Sequence, residues 1–161
     1  MDSDITSYIK KLNNAFLLQL MLWIKLPLVA FIGVRLKSIS EEEINLTVKY
    51  KWLNKNPFNT IYWAVLGMSA ELCSGLLIMM FAHNKNSGVA MFVVKSNAIF
   101  KKRALGKITL KCTEGNLIES CVIDCIANKS SKTIDCSTIA YDETNDIVAE
   151  FVFTWSIKGR N

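Results

Sequence analysis

Histidine, proline and glycine are scarce in this sequence, which has one histidine, two prolines and seven glycines among 161 residues. So little proline and glycine, beside a hydrophobic content of 51%, argues against a disordered or low-complexity chain. With His83 as the single imidazole, a metal site has few nitrogen ligands to draw on. We expect no metal and no resident cofactor, and we assign His83 no catalytic role.

Signatures of disulfides, zinc and secretion are also missing. The five cysteines are an odd number without a Cys-x-x-Cys pair, and Cys121 and Cys125 are spaced to share one helix face. Free buried thiols in a reducing compartment are the expected state. The first residues, MDSDITSY, lack the basic segment of a signal peptide, which predicts a cytoplasmic protein.

No nucleic-acid motif accompanies the positive charge of the chain. Nineteen lysines and arginines against 14 acidic residues give a formal charge of +5, and the basic residues are spread out. This pattern suits an anionic small ligand better than a nucleic acid, which we do not expect as a partner. The length, without a repeat or a linker, predicts one domain over residues 1–161.

The dominant feature that is present is an apolar run over residues 61–82, whose single charge is Glu71. It predicts a helix over residues 60–82, and a helix apolar on every side is either a membrane span or a core element. A central glutamate disfavours a span by roughly 2–3 kcal/mol, and the residues that follow alternate as strands do. A helix wrapped by a curled antiparallel sheet is therefore favoured, and no transmembrane span is expected.

Weaker patterns place the remaining elements around this helix. Apolar spacing of three and four residues predicts an N-terminal helix over residues 4–24. Its apolar continuation, interrupted by Lys25 and Pro27, favours packing against the sheet or a partner chain over shallow membrane contact. Alternation predicts strands at 34–39, 44–50, 107–112, about 132–142 and 146–158, with a short helix over 116–127, hence an α+β fold. A short apolar run at 89–94 predicts a buried strand that continues irregularly through Ile99 and Phe100.

Three segments in a fixed order give the chain a family resemblance: LPLVAFIGVRL, KYKWLNKNPFNTIYWAVLGMSAEL and VAEFVFTWSIKGR. Over roughly residues 25–159 the chain resembles the hotdog-fold acyl-CoA thioesterases of the phenylacetic-acid-degradation type, and more closely a bacterial branch of that superfamily. The resemblance implies a hotdog fold, a curled antiparallel sheet around a long helix. It also implies a thioester substrate on coenzyme A or acyl carrier protein, no further cofactor, and a homodimer or homotetramer.

The resemblance further implies roles for the central helix and the turn before it. Asn56 and Glu71 keep the family's spacing of 15 positions (71 − 56) between a polar residue and a helix carboxylate. Glu71 is implied as general base or nucleophile, with Asn56 of the partner subunit lining the same site. The backbone N–H near Trp63 is implied to polarise the thioester carbonyl, since the first turn of a helix has unpaired N–H groups. A structural buried acid is the alternative for Glu71, and a turn-shaping role the alternative for Asn56.

Two further candidates lie on the same helix, and the helix start departs from the family pattern. Tyr62 can line an acyl pocket or pack in a dimer core, and Ser74 can position water or bond to its own helix backbone. Where relatives have a small residue, this chain has Ile61-Tyr62-Trp63. These bulky side chains narrow the pocket, select another acyl shape or close the site.

A basic triplet, Lys101-Lys102-Arg103, stands where relatives bind the phosphates of coenzyme A, with a solvated loop as the alternative. The function that these residues favour is acyl-CoA thioester hydrolysis at a subunit interface. One alternative is a non-catalytic acyl- or lipid-binding module that uses the same groove. Another is a membrane protein anchored by residues 15–33 or 61–82.

Overall fold

The computed structural model describes residues 3–83 and 88–159. The helices in this part of the chain are α1 (Ser3–Asn13), α2 (Ala15–Lys25), α3 (Pro27–Ile32), α4 (Trp63–Ala82) and α5 (Gly115–Ala127), with a 3-10 turn at Trp52–Asn54. The strands are β1 (Arg35–Ile39), β2 (Ile44–Lys49), β3 (Val89–Phe100), β4 (Lys107–Cys112), β5 (Ser131–Tyr141) and β6 (Ile147–Gly159).

The strands form one antiparallel sheet in the order β1-β2-β4-β5-β6-β3. Along β6, Phe151, Phe153 and Trp155 are buried and alternate with more exposed residues. Register shifts in β1, β3 and β5 mark irregularities of the kind that increase local twist and curl a sheet. The predicted α+β hotdog fold is confirmed, and β1 and β2 pair as a hairpin. Strand β3 lies at an edge, where it pairs with β6 alone.

Helix α4 lies on the inner face of the curled sheet and is buried along most of its length. It packs against β2, β4 and β5, and also against α5 and α1. It is long and apolar enough to cross a membrane by length and composition, and 72% of its most apolar window is buried within the fold. It begins at Trp63 rather than at residue 60, because the amides of Ile61 and Tyr62 bind carbonyls of Ala104 and Asn54 and hold that segment extended.

The single helix predicted over residues 4–24 is divided into α1 and α2. Asn14 adopts an extended conformation between them, and its Oδ1 accepts hydrogen bonds from the amides of Phe16 (3.1 Å) and Leu17 (3.2 Å). This is the geometry of a helix N-cap, which starts a new helix with a change of direction. Apolar spacing alone did not show the break, since it continues through both helices.

All five cysteines are free and buried in the core. Burial raises the pKa of the Cys112 and Cys121 thiols to about 11, so at neutral pH these sulfurs are protonated. A buried, protonated thiol is a poor nucleophile, because the thiolate is the reactive form. Cys112 and Cys121 are therefore poor nucleophiles at neutral pH.

Candidate active site around Glu71

Glu71, on the third turn of α4, is a half-buried carboxylate without a partner. Within residues 3–83 and 88–159 its side chain forms no ion pair and accepts no hydrogen bond. Desolvation by burial raises the pKa of Glu71 above the ordinary value of a glutamate. An acid held in this way favours a function over a structural role, because structural buried acids are paired.

Small residues flank Glu71 by one helical turn on each side. Gly67 precedes it and Gly75 follows it, both at a spacing of four residues. A Cβ at Gly67 would lie 3.9 Å from the Phe151 ring, and one at Gly75 would lie 3.4 Å from the Trp155 ring and 3.7 Å from Glu71 Oε1. The positions one turn before and one turn after Glu71 on this face of α4 therefore have no side chain, and aromatic side chains of β6 lie next to them. Sequence reasoning missed this feature, although the spacing of four residues between Gly67, Glu71 and Gly75 is visible in the sequence.

The raised pKa of Glu71 predicts that the fold loses stability as the pH rises. Because the folded state holds the Glu71 proton more tightly than the unfolded state, the free energy of unfolding decreases between the ordinary glutamate pKa and the raised one. We expect this contribution to be absent from Glu71→Gln. Urea unfolding of both proteins across that pH range measures the difference. If the difference in unfolding free energy between the two proteins does not change with pH, or changes in the opposite direction, the raised pKa is contradicted.

Ser74 is fully buried and connects α4 to β6. Its hydroxyl donates to the backbone carbonyl of Glu71 (3.1 Å) and accepts from Nε1 of Trp155 (3.0 Å). The indole is thereby held beside Gly75 as part of the apolar wall next to Glu71. The bond to its own helix backbone is one of the two arrangements left open for Ser74. A direct contact with substrate stays a prediction.

Ser74→Ala is expected to lower the free energy of unfolding by about 1–3 kcal/mol, because the buried indole N–H of Trp155 loses its acceptor. In Trp155→Phe the donor itself is gone, so the double variant should lose less than the sum of the two single variants. Chemical denaturation measures all three. The control is Ser120→Ala, whose exposed hydroxyl donates to a backbone carbonyl on α5. Additive losses at Ser74 and Trp155 would contradict the coupling.

The start of α4 offers two backbone donors. The cap residue Tyr62 makes no side-chain capping bond, and within the described part of the chain the amides of Trp63 and Ala64 donate no hydrogen bond. These N–H groups stand at the positive end of the helix dipole, which favours negative charge. Trp63 precedes Glu71 by eight residues, or about 12 Å along the axis, and a helical side chain leans toward the N-terminus. The donors and the carboxylate thus lie on one helix, about two turns apart.

Asn56 lies in a tight turn ahead of α4 rather than in an open cleft. Its Oδ1 accepts from the amides of Phe58 (2.9 Å) and Thr60 (3.1 Å), and its Nδ2 donates to Thr60 Oγ1 (2.8 Å). These bonds shape the turn, which is the alternative that the sequence left open. They use one of the two Nδ2 hydrogens, so the side chain keeps one donor for a second role. A contact with substrate across an interface stays a prediction.

The three basic residues after β3 are engaged with protein groups. Lys101 pairs with Glu150 at 2.6 Å, and Lys102 bridges two aspartates, Asp142 at 2.5 Å and Asp146 at 2.7 Å. Arg103 donates from Nη2 to the carbonyl of Phe58 (2.7 Å) and makes no ion pair with a described residue. The guanidinium of Arg103 is therefore the group of this triplet with charge left for a phosphate.

A surface depression lies elsewhere, on the outer face of the sheet. It measures about 580 Å³ and is lined by polar residues of β4 and of the β5–β6 turn, among them Lys107, Lys111 and Asp142. Glu71 does not line it. Glu71 and this depression therefore lie on separate parts of the fold.

Comparisons with known proteins agree with this architecture. A protein of unknown function from Chlorobaculum tepidum TLS superposes with a TM-score of 0.77 at 18% identity, covering 98% of each chain. Thioesterase HI1161 from Haemophilus influenzae gives 0.68 at 16% identity and 91% of each chain. A mutant of thioesterase PA1618 from Pseudomonas aeruginosa gives 0.67 at 10% identity and 94% of each chain. A search of curated protein sequences finds no significant match.

At these identities the likeness is one of fold, and the phenylacetic-acid-degradation type stays a prediction. A family model described as a domain of unknown function, DUF4442, matches residues 15–157 and so spans α2 to β6. The match includes α4, Glu71 and all six strands. The chain therefore belongs to the DUF4442 family and has the hotdog fold seen in solved thioesterases.

Proposed function

We propose that this protein hydrolyses acyl thioesters at an interface between two copies of the chain. The observation that supports this most is the unpaired, half-buried carboxylate of Glu71, on the same helix as two unpaired N–H groups. A carboxylate of raised pKa is a better base, and N–H groups at a helix start stabilise a developing oxyanion. Solved proteins of this fold are named thioesterases, which supports the same reaction class.

Glu71 has two routes to the same products. As general base it takes a proton from water while the water oxygen bonds to the thioester carbon; the carbon–sulfur bond then breaks, and the thiolate leaves with that proton. As nucleophile it bonds to the carbon itself and expels the thiolate, and water hydrolyses the mixed anhydride. On both routes amides at the start of α4 hold the negative oxygen. Because the Trp63 amide and Glu71 are about 12 Å apart along one helix, the amides and the carboxylate that meet one carbonyl come from different copies of the chain.

The exposed edge of the sheet supplies the proposed interface. Four large apolar side chains are exposed on β3: Phe92, Val94, Ile99 and Phe100. Among the described strands, only β6 pairs with β3, so the backbone groups on its other side have no neighbouring strand there. A long apolar edge strand is a template for pairing with another chain. A second copy added there would provide a second wall for a substrate pocket near Glu71, with Asn56 of the partner subunit lining that pocket. Arg103 is then the group proposed to meet a coenzyme A phosphate.

Phe92→Lys combined with Val94→Lys is expected to convert the dimer into monomers. In a two-fold interface each new charge is duplicated and buried, and burying an unpaired charge is costly. Sedimentation velocity measures the mass, and acyl-CoA hydrolysis is expected to fall at least about tenfold with the loss of the second wall. The control is Leu117→Lys combined with Ile123→Lys, at similarly exposed apolar sites on α5. A dimer that survives the β3 changes contradicts this interface.

The function is tested with a panel of short, long and aromatic acyl-CoAs, with product separated by chromatography. Hydrolysis of at least one member by the wild type, and its loss in Glu71→Gln, supports the proposal. Binding of acyl-CoA without turnover of any member supports a non-catalytic acyl-binding module instead. The bulky side chains of Tyr62 and Trp63 at the helix start favour that second candidate, since they crowd the path to the amides.

A further inference from the structure

The first helices of the chain present a large apolar surface to solvent. Eight large hydrophobic side chains between the start of α2 and the end of α3 are exposed: Phe16, Leu17, Leu20, Trp23, Ile24, Leu26, Leu28 and Phe31. We call these eight residues the α2–α3 apolar surface. Other side chains of the same helices, such as Leu22 and Val29, are buried and attach them to the body of the protein. Contiguous apolar patches of this kind mark interaction sites.

Four cations that form no ion pair with a described residue border this surface. Lys25 ends α2, and Arg35 donates to the Gln19 side chain of that helix. Lys37 shares a depression with residues of α2, and the Lys51 ammonium lies next to Gly33 at the end of α3. None of these four cations forms an ion pair with a residue in 3–83 or 88–159.

The charge of this region differs from that of the remaining chain. Between residues 5 and 40 the sequence has five basic residues and no acidic one: Lys10, Lys11, Lys25, Arg35 and Lys37. In contrast, every lysine that forms an ion pair in the structure lies beyond residue 100. The α2–α3 apolar surface is therefore complementary to a surface that is apolar inside and negatively charged outside.

We infer that the α2–α3 apolar surface binds the surface of an anionic phospholipid bilayer. Aromatic and aliphatic side chains would enter the boundary between headgroups and acyl chains, while the bordering cations meet lipid phosphates. Helices of 11 and 6 residues are about 16 and 9 Å long, too short to cross a hydrocarbon core of about 30 Å. The helices therefore lie along the bilayer surface and do not span it.

A second copy of the chain fits this surface less well. A two-fold contact would place the unpaired cations of one copy next to the same cations of the other, and like charges at an interface oppose association. The edge strand β3, proposed above for the dimer, is a separate element on the opposite end of the strand order from β1. This inference does not depend on the proposed hydrolysis, because vesicle binding is measured without substrate.

Flotation of the full-length protein with vesicles tests the inference. We expect binding to vesicles of phosphatidylcholine mixed with phosphatidylglycerol, at least about tenfold weaker binding to phosphatidylcholine alone, and weakening by salt. Two double variants separate the apolar from the electrostatic contribution to binding. Trp23→Gln with Leu28→Gln removes apolar side chains, and Lys25→Glu with Lys37→Glu reverses bordering charges. Each is expected to weaken binding to the mixed vesicles at least about tenfold. All of these side chains are exposed, and thermal unfolding verifies that the variants fold.

Matched controls lie on α5 and just after it. Leu117→Gln with Ile123→Gln changes two exposed apolar residues, and Lys129→Glu reverses an exposed lysine without an ion pair among the described residues. Both should bind the mixed vesicles as the wild type does. No binding by the wild type, or equal weakening by the controls, overturns the inference. A change of mass in sedimentation that Trp23→Gln abolishes, without any vesicle binding, assigns the surface to a second copy and also overturns it.

Discussion

Glu71→Gln is expected to lower kcat for acyl-CoA hydrolysis by about a thousandfold, within the 10²–10⁴ range for removal of a general base or nucleophile. Glutamine keeps the size and the hydrogen-bonding shape of the side chain but takes no proton and is no nucleophile. Because Glu71 has no ion pair with a described residue to lose, the variant should remain folded and be at least as stable at neutral pH. Steady-state kinetics on the best substrate of the panel, beside a thermal unfolding curve, measures both.

The matched control is Glu119→Gln, a half-buried helical glutamate on α5 that should keep wild-type activity. The pH profile adds a second readout, because the base must be ionised: wild-type kcat should fall as the pH decreases through the raised pKa of Glu71, and the residual rate of the variant should lack that fall. A Glu71→Gln enzyme within threefold of wild-type kcat, or one that changes KM alone, would show that Glu71 is not the base.

Leu77→Ala is expected to cost about 2–5 kcal/mol of unfolding free energy, the usual range for a truncated leucine in a packed core. Leu77 lies on α4 and has no exposed surface, so the lost methyl groups leave a cavity between helix and sheet. Met79→Ala, two residues along the same helix, removes a side chain that is 41% exposed and should cost less than about 1 kcal/mol. Urea denaturation of the three proteins measures the difference.

This pair of variants tests how α4 is enclosed. Leu77 lies on the enclosed side of α4 and Met79 at an exposed position near its end, and the two substitutions should therefore differ several-fold. Equal small losses at both positions would contradict a packed core around α4. A loss at Met79 as large as that at Leu77 would mean that this exposed side chain is covered in the assembled protein.

Much of the fold was predictable because its signals are local. Apolar alternation predicted five strands, and an apolar run predicted β3, including its continuation through Phe100. The prediction that β3 is buried was wrong, because β3 lies at the edge of the sheet and is largely exposed. The break at Asn14 was missed, because capping by Asn14 competes with a helical pattern that continues on both sides. The late start of α4 was missed for a different reason: distant carbonyls, such as that of Ala104, hold the preceding segment extended.

The candidate site was predictable only as a list of residue types. A glutamate inside an apolar run is visible in the sequence, and its unpaired state depends on which side chains approach it. Ser74 and Asn56 were each open to two interpretations, and hydrogen bonds to Trp155 and to the Asn56 turn show how their polar groups are used. The basic triplet looked uniform in sequence, but aspartates from the β5–β6 turn neutralise Lys102 and leave Arg103 unpaired.

The sequence by itself determined the order of helices and strands, the apolar character of α4 and the presence of one acid within it, because periodicity and composition are properties of neighbouring residues. The tertiary structure alone decided that β3 lies at the edge of the sheet, and that among the described residues neither Glu71 nor the cations around α2 and α3 form an ion pair. Each of these depends on groups far apart in the chain, and a linear pattern contains no record of which distant groups meet.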